Sequence, residues 1–409
     1  MAWFNHRRLR DYPRLIGASF WAVLAVNLLT HKGWFGGLGG IISFDFLTLY
    51  SAGLIYWQDI GKLYNLERQA QVEQMVFAPT LLGDGVNVFA SPPHVALAYS
   101  ALNGLPYSWA FLTSTLLSVL AVVAAVVWMD RELVSAQLRQ SGLTRVQLLV
   151  LAFSFFPNLF GLFLGQNHAF SLLLVTGIVL LSIRERWLLA GILAGLLSYK
   201  PHFVIGFLII WLFWRNWRAL FAFGMTVGSW AGWVILTYGL APFWDYLHAI
   251  NSLMRLPVGI GRYMEVTLFA LAATSLPEKA LPILLSLLPF VVVTISLGLA
   301  WFAYQVRRQP LEVKLLVYAL AILYPFLTSP HTLQFDLTLM MPVLVVWAYT
   351  RPGRQVLYWA VCVYLVSFLG LAITHPTGVA LLALIPIGMT VALLGDIFIG
   401  AGNRVWGQA

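Results

Sequence analysis

Residues 107–129 read YSWAFLTSTLLSVLAVVAAVVWM, a run of 23 residues without a charged side chain. An apolar run of this length can span the hydrocarbon core of a bilayer as an α-helix. Similar runs recur along the chain, which is 60% hydrophobic and 10% charged, with a mean hydropathy of +0.84. Soluble domains carry roughly 25% charged residues, so this composition excludes a cytosolic globular protein. A membrane β-barrel would show alternating segments of about ten residues, and we therefore predict an all-α polytopic membrane protein.

The apolar runs predict about twelve transmembrane helices within a single integral-membrane domain, residues 1–409. The run 187–214 could form one long helix, but Pro201 disfavours a continued helix. A break at Tyr199-Lys200-Pro201 predicts two short helices instead. The spans are expected near residues 14–30, 107–129, 147–163, 169–183, 187–199, 202–214, 218–238, 280–304, 312–328, 332–350, 355–373 and 377–399.

Basic residues indicate which side of the membrane each loop faces. Of the 24 Lys and Arg residues, 17 fall in connections on one side. Because cytoplasmic loops are enriched in Lys and Arg, both termini are expected in the cytoplasm. The connections 31–106 and 239–279 are then two large external loops, and the expected location is the cell inner (plasma) membrane with an extracytoplasmic active site. The basic side comprises Arg7, Arg8, Arg10, Arg14, Arg131, Arg139, Arg145, Arg184, Arg186, Arg215, Arg218, Arg307, Arg308, Lys314, Arg351, Arg354 and Arg404.

An acidic residue begins the helical pattern of the first external loop. Apolar and aromatic residues recur at helical spacing after Asp45, from Phe46 to Tyr56. This pattern predicts an interfacial helix with aromatic side chains at headgroup level. An Asp at a helix start can simply cap the helix, but a carboxylate at the membrane–water boundary can also act as a general base. The residues alone leave both interpretations open.

Two amides lie between the third and fourth spans, in the sequence Gly165-Gln166-Asn167-His168. Gln166 and Asn167 could satisfy the helix ends. Amides also suit sugar hydroxyls, because each amide can both donate and accept hydrogen bonds.

Three cationic side chains lie beside apolar runs on the external side. Lys200, in Ser198-Tyr199-Lys200-Pro201-His202, is unfavourable there unless it snorkels, pairs or binds an anion such as a phosphate. Arg255 and Arg262 in the second external loop could bind lipid headgroups nonspecifically or form a dedicated phosphate site.

A His-containing segment precedes the tenth span. Pro330 is expected to start that helix, which would place His331 and Gln334 in its first turn, where a helix N-terminus favours anions. A capped tight turn is the alternative interpretation. Because His331 and Asp336 are five positions apart, they need not share a helix face.

The sequence argues against several other chemistries. The single Cys excludes an intramolecular disulfide and a Cys-based metal site. Neither a P-loop, a dinucleotide fingerprint nor HExxH occurs in a usable context. We therefore expect no metal, no cofactor and no nucleic-acid partner.

Four motifs in order resemble the integral-membrane GT-C glycosyltransferases, and within them glycosyltransferase family 87. They are DFLTLYSAG at 45–53 followed by Gly61 and Tyr64, GQNHAFSLLL at 165–174, AGILAGLLSYKPH at 190–202 and SPHTLQFDLTLMMP at 329–342. The best-known members of that family are mannosyltransferases that extend phosphatidylinositol mannosides. The resemblance implies a GT-C fold and covers about residues 14–350.

The resemblance also implies a polyprenyl-phosphate-sugar-dependent hexosyltransferase. Such an enzyme moves a sugar, here expected to be mannose, to a lipid or glycan acceptor on the extracytoplasmic face, with inversion. It implies Asp45 as the catalytic base and His331 and Lys200 as contacts to the donor phosphate, while the role of Asp336 stays open. Arg255 and Arg262 are further candidates for the phosphate. Contacts to the substrates are expected from Tyr64, Gln166, Asn167, His168, His202 and Gln334.

The alternative is a transporter or flippase of a lipid-linked sugar. Transporters tend to carry internal repeats with broken helices in both halves, whereas this sequence shows one broken pair, at 200–202. Nearly all ionisable residues also lie at span ends rather than near the midplane. These features favour the enzyme.

Overall fold

The computed structural model describes residues 6–30, 42–78, 87–134, 144–254, 262–350 and 354–402. Regular secondary structure in these ranges is helical, without a strand, as the all-α prediction requires. The described α-helices are α1 (His6–Leu29), α2 (Phe44–Asp59), α3 (Leu66–Phe77), α4 (Pro93–Ser100), α5 (Tyr107–Leu133), α6 (Arg145–Ser154), α7 (Phe156–Leu164), α8 (His168–Ile183), α9 (Trp187–Leu196), α10 (His202–Phe213), α11 (Trp217–Tyr238), α12 (Ala241–Met254), α13 (Leu268–Ser275), α14 (Leu281–Val306), α15 (Leu311–Thr328), α16 (Met340–Thr350), α17 (Arg354–Thr377) and α18 (Leu384–Gly402).

Four described helices are long and apolar enough to cross a membrane. They are α5, α11, α15 and the segment Glu278–Val306, which contains α14. The pair α6 and α7, bent by 60°, adds a fifth if it is counted as one broken crossing. Shorter apolar helices, α8 to α10 among them, occupy other predicted spans. These helices mark a membrane protein, whereas twelve spans and the GT-C fold stay predictions.

Prolines determine where two of the apolar runs break. Pro157 lies in the first turn of α7, where its missing N–H is tolerated, and α6 ends just before it. The predicted break at Tyr199-Lys200-Pro201 is confirmed. There α9 passes into the 3₁₀ turn Leu197–Tyr199, and α10 begins at His202 after Pro201. At the first break the side-chain amide of Asn158 donates to the Ala152 carbonyl at 2.9 Å.

Helices α3 and α4 both pack against α2. Three aromatic side chains of α2, Phe46, Tyr50 and Tyr56, are buried in the protein, whereas Trp57 near its end is exposed. Their contacts are with neighbouring helices, and their predicted depth at headgroup level stays a prediction. Contacts with Tyr107 of α5 and Val234 of α11 join this layer to the long apolar helices. A hydrogen bond from the backbone N–H of Ser43 to the Phe163 carbonyl, 3.2 Å, ties the start of α2 to α7.

Candidate active site

Asp45 lies in the first turn of α2, at a helix start held by its neighbours. Ser43 occupies the N-cap position in a left-handed conformation, φ 63°, and its side chain makes no capping hydrogen bond. The Ser43 carbonyl accepts a hydrogen bond from the Tyr107 hydroxyl at 3.1 Å. The half-buried Asp45 carboxylate accepts one from the Asn87 amide at 3.0 Å. Asp45 is therefore not the N-cap residue, and a distant side chain orients its carboxylate.

The surroundings of Asp45 raise the proton affinity of its carboxylate, as a general base requires. Burial raises the pKa of Asp45 above its ordinary value. Hydrogen bonds from the side chains of Gln166 and Asn87, and the positive charge of Lys200, act in the opposite direction without cancelling the rise. A carboxylate with a raised pKa is a better proton acceptor than a solvated one.

The turn between α7 and α8 brings two amides to this site. Gly165 ends α7 with φ 73°, and a Cβ there would lie 2.5 Å from the Cβ of Phe46. Glycine is thus required both for the backbone conformation and for the close approach to α2. That approach lets the Gln166 side chain reach Asp45. Asn167 follows at the N-cap of α8, where its buried Oδ1 has no hydrogen-bond partner among the described residues.

His168 is fixed by the break between α6 and α7. Its Nε2 lies 3.0 Å from Oδ1 of Asn158, whose amide donates to the Ala152 carbonyl at 2.9 Å across the break. The ring of His168 packs 6.2 Å from that of Phe335, measured between centroids. Its buried Nδ1 has no hydrogen-bond partner in the described part of the chain. The role of His168 as a substrate contact stays a prediction.

Lys200 forms a buried ion pair with Asp336. The two side chains are 14% and 4% exposed, and Nζ lies 2.6 Å from Oδ1. Nζ also lies 5.2 Å and 5.6 Å from the ring centroids of Phe335 and Phe203. Of the interpretations left open for this Lys, pairing describes its environment better than snorkelling. An ammonium has three donors, so the ion pair leaves donors for an anion.

His331 pairs with Glu265 of the connection 239–279. Its Nδ1 lies 2.8 Å from Oε1 of Glu265, and the side chains are 62% and 9% exposed. The prediction that His331 and Gln334 share the first turn of a helix was wrong. His331 precedes the 3₁₀ helix Gln334–Leu339, because Leu333 pairs with Glu265 in an isolated antiparallel bridge. The extended backbone, rather than a helix N-terminus, presents the imidazole.

Two more predicted contacts are buried polar side chains without partners. Gln334 is 2% exposed, and neither atom of its amide has a hydrogen-bond partner in the described residues. Nε2 of His202, just after Lys200-Pro201, is likewise buried without one. Buried polar groups are normally satisfied, and these are candidates to meet a hydroxyl-rich ligand.

The remaining predicted residues lie in other surroundings. Tyr64 donates a hydrogen bond to the Ser91 carbonyl at 2.7 Å and packs against Phe89 and Tyr246. Arg262 is buried and donates to the Met254 carbonyl at 2.8 Å. Arg255 lies outside the described residues. The roles of these three residues stay predictions, and the contacts given for Tyr64 and Arg262 do not include Asp45.

Sequence reasoning missed or left unassigned three partners of the predicted residues. They are Asn87, which holds Asp45; Asp336, which holds Lys200; and Glu265, which holds His331. The sequence did contain a signal for Asp336 and Glu265, because an acidic residue beside an apolar run needs a cationic or protonated partner. Asn87 had none, because an Asn in a polar loop is common.

The described residues contain no group of three or more His, Cys, Asp and Glu side chains that could hold a metal ion. The expectation of a metal-free and cofactor-free site stays a prediction.

Comparison with known families agrees with the motifs. The model of glycosyltransferase family 87 matches residues 89–330, a segment that contains Gln166, Lys200 and Glu265 and begins after Asp45. The comparisons with curated proteins and with solved structures found no match. The matched segment covers more than half of the 409 residues. The chain therefore belongs to glycosyltransferase family 87.

Proposed function

We propose that this glycosyltransferase moves a sugar from a polyprenyl-phosphate donor to a hydroxyl of a lipid or glycan acceptor on the extracytoplasmic face. Mannose is the proposed sugar, by resemblance to the family. The observation that carries the proposal is the location of a candidate base close to a buried cation. The Asp45 carboxylate has a raised pKa and hydrogen-bonds to Asn87 and Gln166, and it lies close enough to Lys200 for that charge to lower its pKa.

In the proposed reaction, the acceptor oxygen attacks C1 of the sugar from the face opposite the phosphate. Asp45 takes the proton of the acceptor hydroxyl as the new C1–O bond forms. The bond between C1 and the phosphate oxygen breaks, and its electron pair leaves with the polyprenyl phosphate. Lys200 and His331 would stabilise the negative charge that develops on this leaving group. Inversion at C1 follows from the single displacement.

Polar groups around Lys200 supply candidate contacts to the sugar. Gln334 and His202 have buried atoms without partners, as do Asn167 and His168. Sugar hydroxyls both donate and accept, so they can satisfy amide and imidazole groups of either polarity. We propose that this set binds the transferred sugar while the prenyl chain stays in the bilayer.

The direct test uses purified protein and a panel of polyprenyl-phosphate sugars. The expected result is release of polyprenyl phosphate in step with sugar transfer, greatest for the mannose donor. Transfer only from a nucleotide sugar, with no polyprenyl phosphate released, would contradict the proposed donor class.

His331→Ala should impair use of the donor rather than of the acceptor. The Glu265 carboxylate orients the imidazole from Nδ1, which leaves Nε2 for the donor phosphate. We expect a raised KM for the polyprenyl donor or a lowered kcat, with the acceptor KM within about twofold of wild type. Steady-state kinetics with each substrate varied in turn measure this. A defect chiefly in acceptor KM would instead assign His331 to the acceptor cleft.

The external position of residues 31–106 can be tested at Ala70. This residue is exposed on α3, and the single Cys of the chain, Cys362, is replaced by Ser beforehand. We expect an Ala70→Cys variant to react with a membrane-impermeant maleimide on intact cells, because the distribution of basic residues predicts that the opposite side faces the cytoplasm. Labelling only after lysis would reverse the topology and remove the site from the outer face.

A further inference from the structure

A second buried carboxylate, that of Glu73 on α3, contacts the residue that holds Asp45. Glu73 is 2% exposed, and Oε1 accepts a hydrogen bond from the Thr48 hydroxyl at 3.1 Å. Oε2 accepts one from the backbone N–H of Asn87 at 3.4 Å. The side chain of the same Asn87 donates to Asp45 at 3.0 Å and to the Phe44 carbonyl at 3.3 Å. Glu73 therefore holds the backbone of the residue whose side chain orients the candidate base.

Thr48 completes this arrangement from α2. It lies three residues after Asp45, so both side chains project from the same side of the helix. Its hydroxyl lies 3.1 Å from the Asn87 carbonyl as well as 3.1 Å from Glu73. The N–H and the carbonyl of Asn87 are thus both tied down, one by α3 and one by α2. The direction of the Asn87 amide then depends on Glu73 and Thr48.

We propose that Glu73 is a positioning residue of the transfer reaction, which fixes Asn87 so that its amide holds the Asp45 carboxylate toward the acceptor hydroxyl. The inference rests on the proposed function of Asp45 as the base. Glu73 itself touches neither substrate in this proposal. A reacting group displaced by about 1 Å can lose roughly 10²-fold in rate, so a residue that acts only on geometry can still affect kcat.

The hydrogen bonds around Glu73 can be satisfied by a neutral side chain. Burial raises the pKa of Glu73 to about 7. A protonated carboxyl can donate to the Thr48 oxygen while its other oxygen accepts from Asn87, and the Thr48 hydrogen then goes to the Asn87 carbonyl. A Gln side chain can make the same three bonds, with its NH₂ in place of the carboxyl O–H. Replacement by Gln should therefore preserve the function, and replacement by Ala should not.

The same helix offers a control for simple packing. Gln69, one turn before Glu73, is also buried and accepts from the Phe89 backbone N–H at 3.0 Å, while its amide donates to the Leu63 carbonyl at 2.8 Å. It holds the same segment of chain as Glu73 but makes no hydrogen bond to Asn87 within the described residues. Gln69→Ala should reduce stability without the specific loss in kcat. Glu67→Gln, at an exposed position of α3, should change neither.

The experiment measures transfer from a polyprenyl-phosphate sugar by folded Glu73→Ala, Glu73→Gln, Asn87→Ala and the double variant Glu73→Ala/Asn87→Ala. We expect Glu73→Ala to lower kcat about tenfold or more, with the donor KM within about twofold. Glu73→Gln should stay within about threefold of wild type. The kcat of the double variant should lie within about twofold of the kcat of Asn87→Ala, because the effect of Glu73 passes through the Asn87 side chain.

Three results would overturn the inference. One is a normal kcat in Glu73→Ala, another is a fully additive loss in the double variant, and the third is an equal loss of kcat in Gln69→Ala. If Glu73→Ala does not fold, Glu73→Leu fills a similar volume without hydrogen-bonding atoms and takes its place. If the wild-type protein transfers sugar, Asp45→Asn is inactive and Glu73→Ala is unaffected, the role of Glu73 is rejected while the proposed function stands. An Asp45→Asn protein with full activity would reject the proposed function itself.

Discussion

Asp45→Asn should lower the rate of sugar transfer by about 10²-fold or more while the protein still folds. General base catalysis typically contributes 10²- to 10⁴-fold, and an amide cannot take the acceptor proton. The substitution keeps the size of the side chain and an oxygen that can accept the 3.0 Å hydrogen bond from Asn87. The base must be ionised to accept a proton, and burial raises the pKa of Asp45. As the pH is lowered, the wild-type kcat/KM should therefore begin to fall at a pH higher than the ordinary Asp pKa of about 3.9. Transfer rates between pH 4 and 9, with size-exclusion profiles, measure both effects.

Asp59→Asn is the matched control for this substitution. Asp59 ends the same helix, is exposed, and has Lys62 at 3.3 Å as its ion-pair partner. Its replacement should change the rate by less than about twofold, since exposed ion pairs contribute little. A folded Asp45→Asn protein that retains more than about half of the wild-type rate would exclude the base assignment.

Lys200→Met should destabilise the protein by about 3–5 kcal/mol, the usual effect of removing one partner from a buried ion pair. The reason is that Asp336, 4% exposed, loses the ammonium at 2.6 Å and keeps a buried charge. Combining the change with Asp336→Asn removes that charge and should restore most of the stability. Transfer should nevertheless stay about 10²-fold below wild type in the double variant, because the cation near the leaving phosphate is absent. Thermal unfolding in detergent and donor kinetics separate the two effects.

The ion pair between Arg184 and Glu132 is the control for Lys200. It has the same N–O distance, 2.6 Å, but its Arg is 51% exposed. Arg184→Met should therefore lower stability by less than about 1 kcal/mol. Recovery of full activity together with stability in the Lys200→Met/Asp336→Asn variant would show that Lys200 has a structural role and no role at the phosphate.

Features governed by neighbouring residues could be predicted from the sequence. The α2 helix begins at Phe44, one residue before the predicted start at Asp45, because the apolar periodicity that follows is local. Pro201 separates α9 from α10 where predicted, since proline lacks an N–H and its ring disfavours helix in the preceding residue. The prediction failed after Pro330, because the bridge between Glu265 and Leu333 holds that segment extended. No local rule anticipates a partner 68 positions away.

Composition and local pattern by themselves determined that the chain is helical and apolar enough for a membrane, that the run 187–214 breaks at Pro201, and which polar side chains lie at that break. The pairing of these side chains was decided only by the tertiary structure. Asp45 meets Asn87 across 42 positions, Glu265 meets His331 across 66, and Lys200 meets Asp336 across 136. Each pair joins different elements, so its formation depends on how those elements pack rather than on spacing along the chain. The pKa of Asp45 follows from the same packing, because burial and the positions of Gln166 and Lys200 are properties of the folded protein alone.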